Sequence, residues 1–519
     1  MPFATGRQCP SRPHSENYRR SDKQKESERA SEEYGLAAAT LIGIDIGTTA
    51  VKAILIDVAG KTLASFAESY PTVRPAPDHV EQDPADWLQG VLAALTQFAA
   101  RHDLGGLLGI GLCSQVSTHV FVDADNEPLL PAFVWQDGRC GADAADLDRR
   151  VTAAEKTAWF GGPMPIDASH ALSRMAHVAR LHADIYARTR AVLLPKDYCA
   201  LKLTGGVASD PIAAVGLVDN RLAYLDDLIA LVPGARDRLP RLADFTDRVG
   251  TIRPGLPCAG VPIFVGTMDA WSGMFGIGVT GERDAMYLSG TSEVLGIISA
   301  ARVPTPGVLV FPPYAGITLH VGPTQAGGAS LGWLTGLSGR SADELSALAA
   351  SLPPSPRVPL FLPHLQGERA PLWDIRSRGV FARLDGGCGA GELTRALMEG
   401  VAFSARLAFA AVEASAGATV DTLHLGGGGA RSDVWCQIRA DALGKVLRRV
   451  KVLNAGTVGA AMIAGLGSGT MPSLNEATAR LVAFDRTFLP DGGLRGYYDD
   501  KFGKYRELYE RLKPFNEGY

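Results

Sequence analysis

The sequence predicts an α/β protein built from two related domains, and three observations predict it. Apolar strand-like runs alternate with amphipathic helical stretches along most of the chain, the pattern of a layered α/β fold. A short motif, Gly-Thr-hydroxyl-x-Val between apolar strands, occurs at residues 47–51 and again at 290–294. At 519 residues the chain is too long for one ordinary core.

Residues 1–38 are rich in Arg, Lys, Glu and Ser and poor in large apolar side chains. They read as a disordered or non-native extension outside the fold. Folded sequence opens at residue 40, where Leu41–Ile46, the turn Gly47-Thr48-Thr49 and Val51–Asp57 read as a strand hairpin. Trp87–Arg101 has helical spacing, and Leu108–Leu112, Val120–Asp123 and Ala191–Leu194 read as strands. A second strand-turn-helix passage runs through Val261–Val265 and Asp269. It is followed by the second hairpin around Gly290-Thr291-Ser292, which places the domain junction near residues 270–285. The second half closes with strand Thr422–Leu425, the glycine run Gly426–Gly429, a helix over Arg431–Leu443 and strand Val446–Val452. A small-residue helix in NAGTVGAAMIAGLGSG, suited to close packing, comes next.

Composition narrows the function classes. With 46% hydrophobic and 20% charged residues and a net charge of −4, the chain is globular, and no basic patch interleaves with aromatics to meet nucleic acid. The seven cysteines are scattered and form no C-x-x-C, which argues against a disulfide framework or structural zinc and suits a reducing cytoplasm. No apolar run is long enough to span a membrane.

The two hairpin turns are candidate phosphate cradles. Backbone N–H groups and hydroxyls converge there, and glycine leaves the approach open. Gly47, Thr48 and Thr49 form the first cradle, Gly290, Thr291 and Ser292 the second. A plain hairpin is the alternative for each. One residue separates Asp45 from the first Gly-Thr, and the second copy has Leu288 at that place, so only the first hairpin brings an acid there. A carboxylate at the end of an apolar strand needs a partner: either Mg²⁺ through water or a cap on its own turn. Lys52 reads as a strand-face residue. The glycine run sits between a strand and a helix, where backbone approaches a nucleotide closely. It fits neither a dinucleotide fingerprint, because Arg431 occupies the last glycine position, nor a P-loop. Asp269 follows a strand and opens a helix. It is placed to orient an attacking hydroxyl and take its proton, or simply to cap the helix.

Gly328-Ala329-Ser330-Leu331-Gly332 matches the G-x-S-x-G of hydrolases, but no motif recruits His364 or His424 to Ser330. A non-catalytic nucleotide-binding protein is the other rival, and the presence of both acids and both turns speaks against it.

Taken together, the ordered segments GIDIGTTAVKAILID, PAFVWQDGR, LLPKDYCALKLTG, GTMDAWSGMFGIG, YLSGTSE, GERAPLWDIRSRG, RALMEGVAFSAR, GGGGARSDVWCQIRADALG and GTVGAAMIAG resemble the FGGY carbohydrate kinases, the xylulokinases and glycerol kinases. The resemblance implies two ribonuclease-H-like domains of the sugar kinase/hexokinase/actin type, with ATP and a sugar or polyol in the cleft between them. It divides the chain into an N-terminal domain over 39–272, a C-terminal domain over 273–490 and a helical extension over 491–519. It implies Asp269 as general base, Asp45 near Mg²⁺, Thr49 and Thr291 on phosphate, and Gly328, Gly428, Gly429 and Asp433 along the nucleotide. A homodimer is left open. Where xylulokinases carry Gln-Met-His and glycerol kinases Gln-Arg-Glu, this chain has Gln115, Val116 and Ser117. Trp135-Gln136-Asp137 is closer to glycerol kinases, GERAPLWDIRSRG to pentulose kinases. The expected substrate is an uncharged open-chain pentulose or another small polyol. Asp137 and Arg139 either frame that pocket or form a buried ion pair.

Overall fold

The computed structural model describes residues 38–160 and 164–518, so nearly all of the N-terminal extension lies outside the described residues. Two seven-stranded sheets form the centre of the molecule. The first contains β1 (Thr40–Ile46), β2 (Ala50–Asp57), β3 (Thr62–Ser69), β4 (Leu107–Ser114), β5 (Arg248–Thr251), β6 (Pro262–Phe264) and β7 (Thr267–Met268). Its order is β3–β2–β1–β4–β6–β5, with β7 also beside β4. The second contains β8 (Ala285–Ser289), β9 (Glu293–Ile298), β10 (Leu309–Val310), β11 (Leu319–Pro323), β12 (Thr422–Gly426), β13 (Val446–Val450) and β14 (Phe484–Phe488). Its order is β10–β11–β9–β8–β12–β13–β14.

The two sheets share one plan. An antiparallel unit, β3–β2–β1 or β11–β9–β8, is extended by parallel strands, β4 and β6 or β12 and β13. The repeated hairpin of the sequence is therefore a repeated domain topology. The copies are not identical in register. Gly47 N–H bonds to Ala50 O, whereas Gly290 N–H bonds to Ser292 O, so the second turn is one residue tighter. Lys52 faces Asp45, but Val294 faces Leu288. Aligning Val51 with Val294 by sequence thus slips by one residue past the turn.

The helices used below are α1 (Pro84–Arg101), α2 (Asp269–Gly276), α3 (Gly328–Ser338), α4 (Ala390–Ala416), α5 (Asp433–Leu443), α6 (Ala455–Gly467) and α7 (Arg495–Glu517). α1 shows how the local sequence dictates each element. Asp83 caps it by accepting from Ala85 N–H, Pro84 occupies its first turn, and Trp87, Val91, Leu95 and Phe98 line one buried face. Each such side chain contributes about 1.5–3 kcal/mol by leaving water. α5 begins at Asp433, two residues later than expected, because Gly428–Arg431 winds as a 3₁₀ turn first.

α2 and α6 close the two domain repeats and pack against each other. Their small residues matter here. A Cβ at Gly276 would lie 1.9 Å from Ala455 O, and one at Gly459 would lie 1.8 Å from Ser272 O. α6 also lies directly on the first sheet, where a Cβ at Gly111 would meet Ala460 O at 1.8 Å. One buried cluster accordingly contains Leu41 and Ile54 of the first sheet, Met286 and Val321 of the second, and Val458 and Met462 of α6. The repeats share a packed floor, and the two hairpins stand above it. The C-terminal helix α7 lays Tyr498, Tyr505 and Tyr509 on the cluster around α4, and its Lys501 pairs with buried Glu399. Among the described residues no helix is long and apolar enough to cross a membrane.

Candidate active site

Three strands of the first sheet end together, and this sets the site. β1 and β7 both run parallel to β4, with Asp45 and Thr267 paired to Cys113, and Ile46 and Met268 to Ser114. Gly266 makes this possible. It adopts φ +71°, and a Cβ there would stand 1.8 Å from Leu112 O, so the chain crosses β4 at backbone contact before β7 starts. The next residue is Asp269, at the C-terminal edge where α/β folds collect their ligands. Behind β7, buried Lys196 lies 2.7 Å from Asp197 and 3.1 Å from Asp210, and Asp210 accepts the Thr267 hydroxyl at 2.8 Å. This fully buried triad fixes the strand that carries Asp269.

Asp269 is the first residue of α2, and its Oδ1 accepts its neighbour's N–H, Ala270, at 2.7 Å. It does not reach N2 or N3 as an N-cap side chain would; Met268 occupies the cap position. Burial and then the charge of Asp45 push its carboxyl up to about 7, against the pull of the Ala270 N–H and of Arg369. A carboxyl poised there exchanges a proton near neutral pH. Asp45 is raised as well, mainly by burial, with Lys52 opposing. Its Oδ1 is buried with no hydrogen-bond partner. Such an oxygen is costly to hold unless a ligand satisfies it. It therefore fits a water of a hydrated divalent cation, a hard oxygen-seeking ion that keeps most of its own waters. Among the described residues no group of three or more His, Cys, Asp or Glu side chains could hold a metal by itself.

The first hairpin is wired to the pocket wall. Gln82 Nε2 donates to Thr48 O at 2.6 Å and to Thr72 Oγ1 at 2.8 Å, while Gln82 Oε1 accepts from Trp87 and from Gln115 Nε2 at 2.9 Å. Gln115 Oε1 accepts the Thr118 hydroxyl, Thr118 Oγ1 accepts Trp135 N–H, and Trp135 Nε1 donates to Thr48 Oγ1 at 3.0 Å. The ring Thr48–Gln82–Gln115–Thr118–Trp135 closes on itself. Gln82 and Trp135 were not among the expected site residues; only the segment PAFVWQDGR pointed towards one of them. Val116 is half-buried against the central cluster, and Ser117 is half-buried with φ +54°. Buried Arg174 fixes this turn by donating to Ser117 O at 2.5 Å and to Phe133 O and Val134 O.

The second cradle is more open. Gly290 and Thr291 are exposed. The N-terminus of α3 docks on it, with Gly328 N–H on Gly290 O and Ala329 N–H on Thr291 O. Gly427 and Gly429 press against Ser289, where a Cβ on Gly429 would lie 2.2 Å from its Oγ, while Gly428 faces open space. Gly328 and Gly429 thus lie against the second hairpin.

Two expected contacts take other roles. Asp137 is buried, and its oxygens are taken by Val80 N–H and by the Arg139 guanidinium, which also meets Glu81 at 2.7 Å. It is a structural ion pair and not a free pocket wall. Asp433 is tied to Arg449 at 2.7 Å and to Arg486. Its carboxylate is already neutralised on the outer side of α5 rather than free for a nucleotide. The hydrolase motif also fails: Ser330 is buried inside α3, His364 bonds to Ser377 and Tyr505, and His424 bonds to Ile277 O.

These features agree with comparisons to known proteins. Residues 40–276 match the N-terminal domain of the FGGY family of carbohydrate kinases, and residues 285–468 match its C-terminal domain. The chain is 32% identical over 487 residues to a xylulose kinase of Escherichia coli K12, covering 91% of this chain and 99% of that one. A glycerol kinase of Citrifermentans bemidjiense is 29% identical, over 87% of this chain and 94% of its own. The solved structure of a xyloylose kinase from Brucella ovis superposes with a TM-score of 0.82 at 29% identity, covering 92% of this chain and all of that one. Two matched family domains in sequence, on two sheets of one topology, lead to one conclusion: the chain belongs to the FGGY family of carbohydrate kinases, and it is an enzyme of that kind.

Proposed function

We propose that this kinase transfers the terminal phosphoryl group of ATP to a hydroxyl of an open-chain pentulose, with Asp269 as general base. The observation that carries the reading is Asp269 itself: a half-buried carboxyl raised to about 7 at the strand ends beside the first phosphate turn. The hydroxyl proton passes to the Asp269 carboxylate as the oxygen bonds phosphorus and the bond to the ADP oxygen breaks. Gly47, Thr48 and Thr49 cradle the phosphates from one side, and Gly290 and Thr291 from the other. Gly328, Gly428 and Gly429 supply close backbone along the nucleotide. Asp45 would hold Mg²⁺ through water, and that ion would supply neutralisation of phosphate charge.

The substrate assignment rests on the wall. Gln115 is spent on the hydrogen-bonded ring, Val116 is apolar, and Ser117 contributes a hydroxyl with no charge. Such a wall suits an uncharged polyol, and the xylulose kinases among the relatives favour a pentulose. ADP release measured with Mg·ATP across pentuloses, hexuloses, pentitols and glycerol tests this. A pentulose should give the highest kcat/KM. Glycerol leading the panel, or no sugar exceeding the sugar-free rate, would contradict the reading.

A further inference from the structure

One cation links the second hairpin turn to a residue that holds the first. Arg369 lies in GERAPLWDIRSRG, and its NH2 donates to Ser292 Oγ of the second turn at 3.2 Å and to Thr324 O at 2.7 Å. Its guanidinium carbon stands 5.7 Å from the centre of the Trp135 ring, whose Nε1 in turn holds Thr48 of the first turn. The guanidinium is therefore placed between the turns, on the side where Asp269 feels its charge.

Its donors are not fully used. Arg439, Lys196 and Lys501 are paired with acids, Glu293, Asp197 and Glu399, whereas Arg174 is buried without one and spends its donors on the carbonyls of Ser117, Phe133 and Val134. Among the described residues no carboxylate forms a salt bridge with Arg369, and its Nε is buried without any partner. The neighbouring Glu368 does not neutralise it by contact. That carboxylate instead pins the backbone, accepting the N–H groups of Gln325 and Arg369 and, at 2.6 Å, the Ser404 hydroxyl of α4. The structure thus anchors the segment firmly and leaves the guanidinium donors partly unspent. That is how a group waiting for an anion is preorganised.

We propose that Arg369 is the cation that contacts the transferring phosphoryl group, bridging the two turns through its oxygens when nucleotide is bound. The proposal rests on the kinase reading above and adds a catalytic residue to it. Arg369 neither gains nor loses a proton. It offers N–H donors to the equatorial oxygens while the substrate oxygen–phosphorus bond forms and the bond to ADP breaks. The contact with Trp135 gives the arginine a resting place, and it also makes binding of the phosphoryl group report on domain geometry.

Arg369→Gln and Arg369→Lys, in the full chain, decide it. Calorimetric titration with Mg·ATP and with Mg·ADP should show that Arg369→Gln weakens ATP by roughly 10- to 100-fold and ADP by less than about threefold, because only ATP carries the terminal phosphoryl group. With xylulose, kcat should fall by about 10²–10³ in Arg369→Gln and by less in Arg369→Lys, which keeps the charge but not the fork. Equal weakening of ATP and ADP, or unchanged ratios in both variants, would show a purely structural latch and overturn the proposal. The nucleotide ratio needs no sugar. A wild type without sugar turnover therefore contradicts the kinase reading alone, while the ratio still judges Arg369.

Discussion

The two hairpins share a topology and differ in what they do with an acid. In the second, Glu293 is fully buried and fully answered: Arg439 at 2.7 Å and Ser289 at 3.0 Å on one oxygen, Tyr287 at 2.6 Å on the other. In the first, Asp45 keeps an oxygen with no partner, and its charge adds to burial in raising Asp269. The second acid is spent on holding a strand to α5, whereas the first is left to meet a ligand. The lesson is that burial of a carboxylate says little by itself; whether its lone pairs are satisfied separates architecture from chemistry. The charge pattern follows. Asp45 and Asp269 both stand at the strand ends of the first sheet, and Arg369, without a salt bridge, reaches the second hairpin at Ser292.

The comparison can be broken by substitution at each acid. Asp269→Asn should cost the most, lowering kcat by about 10³–10⁴ while ATP still binds, because a general base is lost and no packing changes. Steady-state kinetics with calorimetry of ATP binding checks it, and retained turnover would remove Asp269 from the mechanism. Glu293→Gln should be the mirror image. It leaves Arg439 buried without its counter-ion, so stability should fall by about 3–5 kcal/mol in denaturant unfolding while the surviving folded enzyme keeps its kcat. A loss of kcat without loss of stability there would erase the distinction between the hairpins. Asp45→Asn should lower kcat by about 10²-fold and raise the Mg²⁺ concentration needed for half-maximal rate, with little change in unfolding free energy. The smallest effect is on thermal stability. A carboxyl raised from 3.8 to about 7 binds more protons in the folded than in the unfolded chain across that interval. The stability it supports is complete below the lower value and lost as pH rises through about 7. Asp269→Asn should therefore raise the melting temperature at pH 8 by roughly 2–4 °C and change it little at pH 4.

What the sequence disclosed and what it hid divide along the same line. The strands, the turns and both acids were legible because their signals are local: an apolar run, a Gly-Thr turn, an acid one residue away. The register of the second hairpin was misread past the turn, since a three-residue and a four-residue closure look alike in sequence. Asp433 was misassigned because the arginines that neutralise it, Arg449 and Arg486, lie 16 and 53 residues away. Asp137 had its partner two residues on, at Arg139, and both readings of that pair were open until Glu81 and Val80 N–H closed round it. Gln82 carries no sequence signal at all. It matters only because the fold brings Thr48 and Gln115, 34 and 33 residues distant, to its two ends.

The central claim is that burial, and then the charge of Asp45 beside the first hairpin turn, keeps Asp269 ready to accept a proton. The most direct measurement is an infrared titration of the ligand-free protein, with the signal of Asp269 isolated by subtracting Asp269→Asn, in the wild type and in Asp45→Asn. The account predicts a carboxyl midpoint at about 7 that moves to lower pH when the Asp45 charge is removed. A midpoint near the ordinary 3.8, or one unmoved by Asp45→Asn, would contradict it.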